Sequence, residues 1–423
     1  MRYLLALWDG GGATPPNLGV ARVLVGRGHE VVVLGDPTLS DAIAATGASH
    51  RTWPTAPQRV STSLDDDVLK DWEAKSPLGK FARVRDAFIT GRADRFGADV
   101  AAAIDDAARE GMPFAAVLAD GILLGALAAA EARGIPAAAL VGSMYVAPSP
   151  VRAPFGLPPA QGRIGRLRDR MGYPLMNAMW DTGLRDLNAA RAGLGLDPLR
   201  HIWEQWDRVD RVLLLTASAF DDDNAPLQAN VRYAGPVLED IPSDGSFDLP
   251  PGDGPLVVVG LSSSYMEQRP ALVQIAKALA TLPVRAVVTT GPAMDPAEVP
   301  AAPNVRVVGS APHGELIPKA DVVVTHAGHG TLIKALAAGV PVVCMPFGRD
   351  QPDNARRARR HGVAVVLSPR SDASDIATAV FEALTEPEYR DAAVALGERI
   401  RAEIASGVLV AELESLGRRS VSA

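Results

Sequence analysis

Short runs of aliphatic and β-branched residues recur along the chain, each closed by glycine, proline or aspartate and followed by apolar positions at helical spacing. Tyr3-Leu-Leu-Ala-Leu-Trp8 predicts a buried strand, Asp9-Gly-Gly-Gly12 a turn, Pro16 to Arg27 an amphipathic segment, and Val31 to Leu34 the next strand. A strand, helix, strand opening of this kind predicts a parallel sheet. The alternation continues through Ala115 to Asp120, a helix reaching Arg133, the turn Gly134-Ile-Pro136 and a strand from Ala137 to Val141. Val212 to Leu215 is expected to end this first sheet, with Tyr233 to Val237 starting a crossing. Residues 238–254, rich in Pro, Asp, Gly and Ser, read as an interdomain linker. From Leu256 the pattern restarts: a strand at 256–259, a helix near 268–281, and strands at 284–290, 305–308 and 322–324. A terminal helix is expected at about 386–416. The fold class is therefore α/β, with two Rossmann-like parallel-sheet domains at 1–237 and 255–385 and a terminal segment at 386–423.

Composition narrows the function classes. With 423 residues, 48% of them hydrophobic, the chain has material for two cores of ordinary size. A net charge of −7 gives no electrostatic case for nucleic acid or an anionic membrane. The dense basic cluster Arg356-Arg-Ala-Arg-Arg360 falls on a predicted helix and reads as a solvated face. Cys344 is the single cysteine, so no internal disulfide forms. With no charged leader and no apolar segment of membrane-spanning length, a soluble cytoplasmic protein is expected, monomeric or a homodimer. The strand, helix, strand opening lacks a GxGxxG, and Asp36 after its second strand is explained by turn propensity, so a dinucleotide site is not expected there.

The densest chemistry lies in residues 322–354. His326-Ala-Gly-His-Gly330 breaks the strand Val322 to Val324, Thr331 is placed to cap a helix carrying Leu332, Ile333, Leu336 and Ala337 on one face, and Gly339 with Pro341 stops it. Glycines let backbone approach a ligand closely, and free N–H groups at a helix start favour a phosphate or diphosphate. The imidazole of His326 adds a donor at the strand end.

His326-Ala-Gly-x-Gly-Thr331, then Ala337-Ala-Gly-Val-Pro341, then Pro346-x-x-x-Asp350-Gln351-x-x-Asn354-Ala355 resembles the donor-binding signature of GT-B glycosyltransferases, in the family that includes plant UDP-glycosyltransferases and bacterial macrolide glycosyltransferases. The resemblance implies that His326, Gly328, His329, Gly330 and Thr331 surround the diphosphate of a nucleotide-sugar, while Asp350 and Gln351 bind hydroxyls of the donor sugar. Gly260-Leu-Ser-Ser-Ser264 looks like the family's serine-bearing loop near the phosphates, pointing to Ser263 and Ser264. Ser310-Ala-Pro-His313 resembles the segment whose backbone reads the base, pointing to Ala311 and His313, with a surface turn as the competing reading of both loops. Many family members carry Glu where this chain has Lys334, which adds charge near phosphate but cannot accept ribose hydroxyls. A dTDP-deoxysugar is thus as open as a UDP-sugar. The second domain would bind this donor without a metal or cofactor, the first would bind the acceptor, and the terminal helix would cross back to the first domain.

Catalysis departs from the family pattern. Aligning Pro16-x-Leu-x-x-Ala21 on the family's Gly-His-x-x-Pro context puts Ala13 where a catalytic His belongs. His29, His50 and His201 lie in turns or variable segments, and the other histidines fall in the donor domain, so carboxylates become the candidate bases. Asp9 ends the first strand before three glycines, and Asp120 matches the Asp that in the family orients the missing His. Turn and cap roles compete for both. A carboxylate of ordinary pKa is a weak base for an alcohol, so a raised pKa or an acidic acceptor such as a phenol or enol is required.

Aromatic and Met residues gather between 50 and 185, among them Trp53, Trp72, Phe88, Tyr145, Phe155, Met171, Met176 and Trp180, near the low-periodicity stretches 54–64 and 143–165. Such a surface suits a flat apolar acceptor of the polyketide, macrolide or aromatic kind that the resemblance implies. An inverting glycosyl transfer to that acceptor is the expected reaction. A sugar-nucleotide epimerase on the same fold and a catalytically impaired binding homologue are the alternatives.

Overall fold

The computed structural model describes residues 1–154, 157–221, 226–240, 249–291 and 294–421. Phe155 and the linker residues 241–248 lie outside the described residues. The first domain holds β1 (Arg2–Ala6), β2 (Glu30–Gly35), β3 (Ser49–Thr52), β4 (Ala116–Asp120), β5 (Ala137–Val141), β6 (Arg211–Leu214) and β7 (Val231–Tyr233). They form a parallel sheet in the order β3-β2-β1-β4-β5-β6-β7. The second holds β8 (Leu256–Gly260), β9 (Arg285–Thr289), β10 (Val305–Val308), β11 (Val322–Thr325), β12 (Val342–Cys344) and β13 (Ala364–Val366). Its order, again parallel, is β10-β9-β8-β11-β12-β13. β4, β5 and β8 are buried at every position, which is why they read as unbroken apolar runs.

This topology positions the site. Each sheet reverses direction of strand order once, between β1 and β4 in the first and between β8 and β11 in the second. Crevices at the carboxyl ends of strands beside such reversals are where open α/β sheets bind ligands. Asp9 and Asp120 follow β1 and end β4, while the serine loop and His326 follow β8 and β11. Both sets of candidates therefore lie at switch points.

Several expectations are corrected. The first sheet does not end at Leu215, because β7 pairs with β6 beyond it. The edge strand β3 escaped the sequence pattern since none of its four residues is buried. The terminal helix is two helices, Pro387–Ala405 and Val408–Val421, broken at Gly407, whose φ of 71° suits glycine. Leu413 and Leu416 of the last helix enter the core beneath β1, the Tyr3 hydroxyl donates to Leu413 O at 3.1 Å, and Glu414 accepts from Arg27 at 2.6 Å. The low-periodicity stretch at 143–165 runs into a helix, Gly162–Trp180, whose Ile164, Leu167, Met171 and Leu175 are exposed and so blur its amphipathic signal. No helix among the described residues is long and apolar enough to cross a membrane.

Candidate active site in the interdomain cleft

The turn after β11 leads into the start of a helix. Ala327 takes a left-handed φ of 65°, and the helix His329–Ala337 begins with Gly328 as its N-cap, so Thr331 lies in the first turn rather than capping it. The first-turn N–H groups have no partner within the helix and carry its positive dipole end. The His326 imidazole packs directly over Gly328, where a Cβ would stand 2.3 Å from Nε2. His326 is only 8% exposed, and its Nδ1 has no hydrogen-bond partner. Burial pulls its pKa down to about 4 against the raising pull of Asp350 and the Gly260 backbone, so the ring is neutral at pH 7 and carries a single N–H.

The side chain of His329 is turned away from this helix start. Its Nε2 lies 2.8 Å from Thr216 Oγ1 of the first domain, and burial lowers its pKa to about 4. Its side chain therefore serves the domain contact, leaving its backbone at the helix start. Gly330 faces the carbonyl of Gly12, 3.6 Å from where its Cβ would be, and a Cβ on Gly11 would meet Ser263 Oγ at 3.0 Å. The glycine turn after β1 thus lies against both the serine loop and the helix start.

Asp350 and Gln351 have different surroundings. Asp350 Oδ2 accepts from Ser143 Oγ at 2.7 Å and from Asn354 Nδ2 at 3.0 Å, so a first-domain loop reaches the donor signature. Gln351 is 3% exposed; its oxygen accepts from the N–H groups of Phe347 and Gly348 at 2.8 and 3.2 Å, and its Nε2 rests on Met266 Sδ at 3.2 Å. The amide of Gln351, expected from the resemblance to meet sugar hydroxyls, here shapes the 346–350 loop. Asp350 keeps an oxygen, Oδ1, with no hydrogen bond from the described residues.

Lys334 also departs from expectation. Its ammonium pairs with Asp240 at the end of the segment leaving the first domain, and Asp240 Oδ2 accepts the Gly314 N–H at 2.5 Å. The charge expected beside phosphate is therefore neutralised by a carboxylate. His313 packs on Gly260, where a Cβ would stand 2.6 Å from its ring, and contacts Thr289 Oγ1 at 3.2 Å. Burial, and secondarily the Lys334 charge, lower its pKa to about 4. Ala311 lies just before it on the loop, partly exposed.

The positive charge that sequence reasoning missed is Arg349. Its Nε and Nη2 donate to Asp71 Oδ2 at 3.0 and 2.9 Å, and its Nη1 to Ser264 Oγ at 3.2 Å. A basic residue directly before Asp350 was the available signal, but Asp71 lies in a stretch without periodicity. The basic cluster after it is likewise not wholly a solvated face: Arg357 turns inward to Asp353 and Asp221.

Across the cleft, Asp120 and Asp9 separate into different roles. Asp120 is 7% exposed; its Oδ1 accepts the Ile122 N–H at 3.2 Å and its Oδ2 accepts Asn17 Nδ2 at 3.1 Å. The same Asn17 amide donates to Ala13 O at 3.2 Å, which places Asp120 next to the position where a His was expected. Burial raises the Asp120 pKa to about 6, against the pull of those hydrogen bonds. The helix after β4 starts at Leu124, so Asp120 holds a turn at Ile122 and does not cap that helix. Asp9 instead accepts from Thr38 Oγ1 at 2.9 Å and lies 3.8 Å from Arg59 Nη1. Beneath it Asp36, 1% exposed, accepts the N–H groups of Asp9 and Arg59 at 3.2 and 3.0 Å, and burial raises its pKa to about 7.

The aromatic residues divide. Trp53, Phe88 and Phe96 are core, whereas Trp72 meets Tyr265 edge-on at 5.4 Å across the domains. A small recess, with room of about 30 Å³ for water-sized contents, is lined by Tyr145, Pro148, Arg152, Tyr173, Met176 and Arg357 among others. Arg152 pairs there with the buried Asp221 at 2.9 Å, so the recess is more polar than the composition of its loops suggested. Among the described residues no three His, Cys, Asp or Glu side chains are grouped to hold a metal ion.

Two parallel-sheet domains whose switch points face each other across a cleft, one presenting a helix start beside His326 and the other a buried carboxylate, define a GT-B glycosyltransferase architecture. Residues 275–416 match the family model described as Erythromycin biosynthesis protein CIII-like, C-terminal domain. The chain is 31% identical to 4'-demethylrebeccamycin synthase of Lentzea aerocolonigenes over 401 residues, covering 92% of this chain and 93% of that protein. It is 32% identical over 181 residues to UDP-glucuronosyltransferase 3A1 of Mus musculus, covering 40% of this chain and 34% of that one. The glycosyltransferase of kitacinnamycin superposes with a TM-score of 0.73 at 22% identity, covering 98% of both chains. Glycosyltransferase VinC in complex with dTDP does so with a TM-score of 0.66 at 19% identity, covering 99% of this chain and all of that one. The chain belongs to this family of natural-product glycosyltransferases.

Proposed function

We propose that the enzyme transfers a sugar from a dTDP- or UDP-linked donor to an apolar small-molecule acceptor, with inversion at the anomeric carbon. The observation that carries this reading is the neutral His326 imidazole, whose Nδ1 has no hydrogen-bond partner, set beside free first-turn N–H groups, across the cleft from Asp120. The acceptor oxygen forms a bond to the anomeric carbon as the bond to the diphosphate oxygen breaks, and the electron pair leaves with the nucleotide. The helix start and His326 stabilise that developing charge. The acceptor proton goes to Asp120, which at a pKa of about 6 is a stronger base than an ordinary carboxylate. The small Ala13 beside it leaves the carboxylate's side of the cleft unfilled by an imidazole. A phenolic or enolic hydroxyl suits this base better than an aliphatic one. Asp350 Oδ1 is free to accept a hydrogen bond from a donor-sugar hydroxyl.

Relatives support the donor class: one carries UDP in its name, and VinC was solved with dTDP. The test is a thermal-shift screen with dTDP, UDP, GDP and their common sugar conjugates, since binding to the folded state raises its stability by mass action. A shift with dTDP or UDP is expected, followed by product formation with a phenolic acceptor and an inverted anomeric coupling by NMR. Turnover is expected to survive a chelator, because the proposed transfer uses no metal. Absence of any nucleotide shift would overturn the donor reading, and retention of configuration would overturn the single displacement.

A further inference from the structure

With Lys334 neutralised by Asp240, a different cation borders the cleft. Arg349 adopts a left-handed φ of 56°, a conformation costly for a side-chain-bearing residue, and its guanidinium reaches the facing domain. Two of its N–H groups grip one oxygen of Asp71 and a third reaches Ser264 on the serine loop. Asp71 is 3% exposed and Arg349 30%, so the carboxylate is shut away while part of the guanidinium stays open to the cleft. Next to this pair Trp72 packs edge-on against Tyr265, so residues 71 and 72 of the first domain bracket the donor loop.

Taking two charges out of water is expensive, and apolar residues of similar size hold an interface at least as well. Stability alone is therefore a poor reason for this pair. A fixed, partly open guanidinium on the cleft has another use, because Arg presents planar, forked donors that suit phosphate oxygens. The positive charge also reaches His326, helping to keep its ring neutral. The Asp71 carboxylate, 3% exposed, faces Arg349 rather than the open cleft.

Resting on the donor reading above, we propose that Arg349 binds the anionic diphosphate-sugar portion of the donor. Asp71 is the positioning residue that aims it, so the donor site of the second domain is completed by a segment of the first. Donor affinity should then depend on a residue that belongs to the acceptor-side domain.

The experiment uses the full-length enzyme, calorimetric titration with dTDP and UDP, and steady-state kinetics in which donor and acceptor are varied separately. Asp71→Asn is expected to raise the nucleotide Kd and the donor KM about tenfold, the size of one misplaced charge-assisted contact, with acceptor KM held within about twofold. Arg349→Lys keeps the charge but loses the fork, and is expected to behave alike. Asp71→Glu should recover most of the loss. Melting temperatures of all three variants report folding, and Arg349→Lys carries the test if Asp71→Asn does not fold. Unchanged nucleotide Kd in both variants would overturn the proposal while leaving the donor reading intact. So would a rise in acceptor KM with donor KM unmoved, which marks the pair as a brace for the acceptor loop. Failure of the unaltered enzyme to bind either nucleotide would overturn both.

Discussion

Gly328 lacks a Cβ where the His326 imidazole needs the room: a Cβ there would stand 2.3 Å from Nε2 and 2.6 Å from Cε1. The glycine and the histidine form one unit, the first allowing the second to lie over the helix start. Gly328→Ala should push the ring off the helix start and weaken nucleotide binding about tenfold, while His326→Ala does so by removing it. Because both act on the same contact, the double variant should lose little more than either single one. Calorimetry on the three variants checks this, and simple additivity of the losses would separate the two residues.

Asp120 makes a prediction about pH. A base must be ionised, so kcat/KM for a phenolic acceptor should climb as pH rises through about 6 and level off above it. Asp120→Asn should remove that limb and lower turnover by about 10² to 10⁴, with nucleotide Kd nearly unchanged. If Asp9→Asn produces that loss and Asp120→Asn does not, the base is Asp9, which would have to be released from Thr38 and Arg59.

What the sequence disclosed follows from how locally each feature is determined. The parallel strands were legible because burial on both faces forces continuous apolar runs, and the tight turn into the helix after β11 because its glycines are contiguous in the chain. Arg349, Asp71 and Asp240 were not legible. Each acts across the domain boundary, with sequence separations of 278 between Arg349 and Asp71 and 94 between Lys334 and Asp240, and no local pattern records such a pairing. The contacts of Gln351 were not legible for a related reason: an amide can serve a sugar or its own loop, and its packing against Met266 is not recorded in any local pattern. The exposed apolar positions of the helix Gly162–Trp180 hid a helix that an ordinary amphipathic pattern would have announced.

Asp36 should leave a mark on stability. Its pKa is raised to about 7 by burial, above the ordinary carboxylate value, so the folded protein binds a proton that the unfolded chain releases between about pH 4 and pH 7. The stabilisation is fully present below about pH 4 and is lost as pH rises through about 7. The slope contributed by this one group approaches about 1.4 kcal/mol per pH unit within that window. Asp36→Asn should flatten that part of the profile measured by denaturant unfolding, whatever its effect at a single pH. An unchanged slope would mean that Asp36 is ionised in the folded protein at lower pH than its burial requires.

Lys334 decides between a ligand role and a structural one. Its side chain is 12% exposed and that of Asp240 30%, and Asp240 also takes the Gly314 N–H, so the ammonium ties the end of the first domain to the helix His329–Ala337. On this geometry Lys334→Met costs about 1 kcal/mol of stability, as a partly exposed pair is broken, but changes nucleotide Kd by less than about threefold. Exchanging the charges, with Lys334→Glu and Asp240→Lys together, should return part of the stability that either single reversal loses. Melting curves and nucleotide titrations on the same preparations separate the two roles. A tenfold weakening of nucleotide binding by Lys334→Met, with the melting temperature unmoved, would mean that the ammonium leaves Asp240 for the phosphate when donor is bound, and that the carboxylate only holds it in waiting.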